Sequence, residues 1–114
     1  MENLKEFKNI AQYLQAVQIQ KLEKIIELIS IEGYLPNPEK LIERTKKPSV
    51  THARRIIAFI ARYLYNIEGN VIAKRLNLDR SQVFAIVAST FGNVQVETDY
   101  RNELAGLIDK LKCI

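Results

Sequence analysis

Apolar residues recur along most of this chain at steps of three to five. In its first part they fall at Leu4, Phe7, Ile10, Leu14, Val17, Leu22, Ile25 and Ile29, the repeat of one helical face. A single helix of that length would span about 40 Å. The apolar face shifts near Lys21, where a bend, a break or a change of packing partner are all open. Gly33, Pro36 and Pro38 end the pattern, and Asn37 before Pro38 reads as the N-cap and first residue of a short helix to about Arg44. Lys46, Lys47, Pro48 and Ser49 read as a linker.

The repeat returns from Val50 to Asn66, where Ala53, Ile56, Ile57, Ile60, Ala61 and Leu64 form a stripe and Arg54, Arg55 and Arg62 lie off it. A further helix is expected to close at Phe91, Gly92 and Asn93, and a last one, capped by Thr98 or Asp99, carries Leu104, Leu107, Ile108 and Leu111. No segment alternates long enough to build a sheet. The pattern predicts an all-α fold in two parts: an N-terminal helical segment, 1–45, for oligomerisation or partner docking, and a helical domain, 46–114.

Between Val71 and Val83 the sequence VIAKRLNLDRSQV fits two helices and a tight corner. A helix-turn-helix needs a small residue where its helices cross, a turn residue that tolerates a left-handed backbone, and an aliphatic anchor on the second helix. Ala73, Asn77 and Val83 supply these, while Ile72, Leu76, Leu78 and Ile86 face a shared core. Asparagine is the commonest non-glycine visitor to the left-handed region. Asp79 then begins the second helix, with Gln82 placed to complete a capping box. That leaves Arg80, Ser81 and Gln82 in an exposed first turn, the part that meets base edges in such motifs.

Charge sharpens this reading. The net charge is +4, but residues 44–80 hold nine Lys or Arg against Glu68 and Asp79, whereas both flanks are net acidic. The positive field therefore belongs to the segment with the corner. Cys113 is the single cysteine and His52 the single histidine, so neither a disulfide nor a structural zinc site is expected, and no metal or cofactor is implied. With no sequence-supported partner for either residue, the chain is read as a non-enzyme. No apolar run reaches the roughly 18 residues of a membrane span, and the N-terminus lacks a signal-peptide core. A cytoplasmic setting without a membrane partner is the expectation.

From Pro48 onward the chain resembles the C-terminal DNA-binding domain of the bacterial chromosomal replication initiator DnaA. The likeness covers about residues 46–114. It rests on Val50, His52, Arg54 and the Ile-Ala-rich run through Leu64, on Ile72 and Ala73 where the family has Ile-Gly, and on Asp79, Arg80, Ser81, Gln82 and Val83 where it has Asp-His-Ser/Thr-Thr-Val. Asp79, the Ser81 hydroxyl and Val83 match that last motif. Phe84, Ala85 and Ala88 stand where the family carries further polar or basic residues. No G-x-x-x-x-G-K-S/T run occurs, so no nucleotide cradle is expected. The resemblance implies a helix-turn-helix on double-stranded DNA and assigns Arg54 a contact beside the second helix.

In chemical terms, Arg80 suits guanine O6 and N7, Gln82 suits adenine, and Ser81 suits either base. Lys46, Lys47, Arg54 and Arg55 suit the phosphate backbone or minor groove. The competing reading keeps the fold as a protein-interaction or oligomerisation module without DNA binding, favoured by the apolar Phe84, Ala85 and Ala88. A homodimer through the N-terminal helix, along Phe7, Ile10, Leu14 and Val17, is a further expectation.

Overall fold

The computed structural model describes residues 2–35, 37–43 and 47–112, and the side chains from Asn9 onward. These residues form five α-helices: α1 (Glu2–Ile31), α2 (Pro48–Phe59), α3 (Gly69–Leu76), α4 (Arg80–Val96) and α5 (Thr98–Lys112). A 3₁₀ turn covers Pro38–Ile42, and a wider π-type turn, Ile60–Leu64, prolongs α2. Among the described residues there is no strand, and the fold is all-α as the sequence pattern predicts.

α1 is one unbroken helix, and the shift of its apolar face near Lys21 marks where it meets the rest of the molecule. Residues 9–16 are all exposed, whereas Leu22, Ile25, Ile26, Leu28 and Ile29 are buried. The helix stops on Gly33 at φ +87°, where the Gly33 N–H donates to Ser30 O and the Tyr34 N–H to Ile29 O, both at 3.1 Å. This paired cap needs a left-handed residue, which glycine supplies without a Cβ clash. The Asn37 cap forms as expected, its Oδ1 accepting from the Glu39 N–H at 3.1 Å, but the element it starts is a 3₁₀ turn ending at Ile42.

A single core joins the second half of α1 to α2, α3, Val83 of α4, and Leu104, Leu107 and Leu111 of α5. The expected division between residues 1–45 and 46–114 is therefore not a division of the core. The physical reason is that α1 contacts α2, α3 and α5, covering apolar surface that the later helices leave open. Each buried Leu or Ile on α1 contributes about 1.5–3 kcal/mol.

Two helix ends differ from the pattern. The Tyr65 N–H reaches back five residues to Ile60 O and the Ile67 N–H reaches back six to Ala61 O, so the end of α2 is wound more widely than an α-helix. That extra residue rotates Leu64, expected on the buried stripe, to 45% exposure and gives its place to Ile67, which is fully buried. α4 runs past Phe91, Gly92 and Asn93 to Val96. Its last turn is held from outside: the Arg101 guanidinium donates to Val94 O at 3.0 Å and Gln95 O at 2.8 Å. Those bonds offset the roughly 1 kcal/mol that Gly92 costs inside a helix.

α5 is pinned to the end of α1. Lys110 pairs with Glu32 at 2.7 Å, and the Tyr34 hydroxyl donates to Glu103. Burial and the Glu103 carboxylate push the Tyr34 phenol up to about 12. His52 Nε2 of α2 lies 3.4 Å from the same Glu103 oxygen, so three elements meet on one carboxylate.

Candidate nucleic-acid interface

The corner between α3 and α4 is built as the residue types at Ala73, Asn77 and Val83 predict. Ala73 and Val83 are buried, together with Ile72 and Leu76. Asn77 adopts φ 55°, ψ 47°, the left-handed conformation, and the Leu78 N–H donates to Ala73 O at 2.9 Å. The Asn77 side chain adds a second anchor, its Nδ2 donating to Ile42 O at 2.9 Å and tying the corner to the 3₁₀ turn. Asn77→Val removes that bond and forces a β-branched residue into a left-handed backbone. Thermal unfolding should register a loss of about 2–3 kcal/mol, and an unchanged transition would mean that neither feature contributes to stability.

Asp79 caps α4. Its N–H donates to Gln82 Oε1 at 2.8 Å, and the Asp79 carboxylate accepts from the Gln82 N–H, a reciprocal box. Arg80, Ser81 and Gln82 are all exposed and share the first turn of the helix. The box changes what Gln82 offers. Its side-chain oxygen is engaged at the cap, so the amide NH₂ is its outward group, and the two-bond contact expected with adenine would have to share that oxygen with the cap.

Arg80 does not extend alone. Its guanidinium lies 5.3 Å from the centre of the Phe84 ring, and that of Arg62, from the π-type turn, lies 5.4 Å from the same ring. Arg62 is itself held, donating to Asn66 Oδ1 at 2.9 Å. Phe84 is 36% exposed and rests on the start of α3, where a Cβ added to Gly69 would come within 3.1 Å of the ring. Two guanidinium groups from different elements thus lie within cation–π range of one aromatic ring. Arg62, Glu68, Gly69, Asn70, Arg80 and Phe84 line a cleft of about 260 Å³. Lys74 is exposed on α3, whereas Arg75 is bound to Glu23 of α1.

Arg54 corrects the sequence reading. It is 8% exposed, and its guanidinium is turned into the molecule, donating to Leu41 O from both Nε (3.2 Å) and an Nη (2.8 Å), and also to Glu43 O. Burial lowers its pKa, yet an arginine stays charged. Leu41 O and Glu43 O lie at the end of the 3₁₀ turn, and Arg54 supplies donors to both. It is a clamp on the backbone rather than a group presented to phosphate. Lys47, the N-cap of α2, and Arg55, two turns further along it, are exposed, and Arg55 lies close enough to Tyr100 for its charge to act on that phenol. Lys46 lies outside the described residues.

Arg62 is the group that the sequence pattern underrated. It reads as one of several arginines off an apolar stripe, and only the widened turn after α2 brings it to Phe84. The same turn stacks Tyr63 on Phe59 (5.1 Å, 9°) and sets it 5.2 Å from Phe91 of α4. Ala85, Ala88 and Gly92 are exposed along α4, so beyond its first turn the helix presents an apolar, partly aromatic face. Among the described residues, no group of three or more His, Cys, Asp or Glu is placed to hold a metal ion. Nor is any helix long and apolar enough to cross a membrane.

A scan against protein-family models gives no match, and searches of the curated proteins and of the solved structures give none either.

Proposed function

We propose that this protein binds double-stranded DNA through α3 and α4 acting as a DnaA-like helix-turn-helix. The observation that carries the reading is the first turn of α4. It is locked behind a left-handed Asn77 and a capping box, it exposes Arg80, Ser81 and Gln82 together, and it has the Arg62 guanidinium alongside across Phe84. In this reading Arg80 and Ser81 meet base edges, Gln82 positions the helix start and offers its amide, and Arg62 and Lys74 join Lys47 and Arg55 as backbone contacts. A cytoplasmic setting goes with it.

A second reading has its own support. The exposed Tyr63, Phe84, Phe91, Ala85 and Ala88 suit an apolar partner better than a phosphate backbone. Fluorescence anisotropy with a randomised labelled duplex separates the two. With roughly four phosphates neutralised, log affinity should fall against log salt with a slope of about −3.6. Arg80→Ala should relax preference at one base pair, at a cost of about 1–3 kcal/mol there, while Arg62→Ala should weaken all sequences alike. Absence of duplex binding at low salt would leave the protein-partner reading in its place.

A further inference from the structure

We propose that the exposed half of α1 is a self-association surface, on which two copies of this chain cross antiparallel near Leu14 and each reaches a groove at the base of the other's α1. The proposal stands on helix exposure, charge and a groove, and it does not depend on DNA binding.

Residues 9–20, NIAQYLQAVQIQ, are twelve consecutive residues without a charged side chain, in a protein where Asp, Glu, Lys and Arg make up 26% of residues. Residues 9–16 are all exposed, and Ile10, Tyr13 and Leu14 are more than half exposed. A solvated helix arm is normally kept in solution by charges on its surface. This one instead mixes apolar residues with glutamines, with Gln12, Gln15 and Gln20 offering uncharged donors and acceptors while Gln18 accepts from the Glu68 N–H at 3.2 Å. An interface between identical copies must complement itself, and like charges facing their own copies are what most often prevents that. A charge-free arm meets its own copy without repulsion.

The groove selects the geometry. Beside the base of the arm, Ile19, Leu22, Ile42 and Val71, together with Glu23, Glu68, Lys74 and Arg75, border a cavity of about 520 Å³ between α1, the 3₁₀ turn and α3. Ile19 and Ile42 are both large, apolar and exposed there. Along the helix axis the charge-free stretch is about 18 Å long. Pairing over so short a length alone falls below the roughly 1,200 Å² that a stable interface buries. Reaching both grooves supplies further contact. In an antiparallel pair centred on Leu14, in the middle of the uncharged stretch, the uncharged stretches overlap and Asn9 and Ile10 of each arm come to Ile19 at the edge of the other's groove. A parallel pair would leave both grooves empty.

Sedimentation equilibrium on the full chain, without DNA and from about 1 to about 100 μM, tests the proposal over the range of a micromolar dimer. Mass should rise to that of a dimer. Leu14→Asp on the arm and Ile42→Asp on the groove should each return the monomer, with circular dichroism and thermal unfolding of the monomer unchanged. In a Cys113→Ser background, oxidised Leu14→Cys should cross-link between copies and Gln20→Cys should not, because only Leu14 lies near the two-fold axis. A mass that stays monomeric at all concentrations overturns the proposal. So does a dimer that either Asp variant leaves intact, or cross-linking at Gln20→Cys as readily as at Leu14→Cys. Failure here leaves the DNA reading standing, and failure of duplex binding leaves this one.

Discussion

Replacing Arg54 by alanine should lower the stability of the protein by about 2–4 kcal/mol while leaving duplex affinity of the folded protein unchanged. A hydrogen bond from a charged donor is worth about 1.5–3 kcal/mol, and truncation strands the acceptors that it served. Here those acceptors are the carbonyls of Leu41 and Glu43, at the end of a five-residue 3₁₀ turn. Part of the loss is packing, since the buried arm of Arg54 lies among the start of the core. Arg54→Lys should recover less than half, because an ammonium cannot fork across two carbonyls. Denaturant unfolding measures the first quantity and anisotropy below the transition the second. An Arg54→Ala protein of normal stability that binds duplex more weakly would return this residue to the DNA surface.

That arginine shows where sequence reading stops. Its position off the apolar stripe of α2 is visible in the sequence, but the direction of the guanidinium depends on where an irregular turn eleven to thirteen residues upstream places its carbonyls. Local chemistry was legible: a left-handed Asn77, a cap at Asp79 and Gln82, a stop at Gly33 and a cap at Asn37 each follow from what one side chain can do within a few residues of itself. Features set by distant partners were not. Leu64 leaves the core because the chain widens at Ile60–Leu64 and Ile67 fills the space, and α4 outlasts Gly92 because Arg101 holds its final carbonyls. The candidate site follows the same rule. Arg80, Ser81 and Gln82 were legible as an exposed first turn, whereas Arg62 reaches Phe84 only through that widened turn.

The shift of the apolar face near Lys21 carries the larger consequence, that α1 is two different things in one helix. Removing residues 1–16 should change the unfolding temperature of the monomer little, since from Asn9 to Ala16 every residue is exposed. Removing residues 1–31 should abolish cooperative folding. That deletion takes away Leu22, Ile25, Ile26, Leu28 and Ile29, all buried in the one core. At about 1.5–3 kcal/mol each, these five side chains contribute roughly 7–15 kcal/mol, as much as the whole net stability of a typical domain. A milder version is Ile29→Ala, which should cost about 2–5 kcal/mol through a cavity beside the fully buried residues of α2. The distinguishing result is the shape of the transition. Because α1 and the α3–α4 corner share a core, circular dichroism and a fluorescent probe on α4 should unfold together in Ile29→Ala, both at lower denaturant. Two separated transitions, or a stable folded fragment 46–114, would mean that the later helices complete their own core and that α1 merely rests on it.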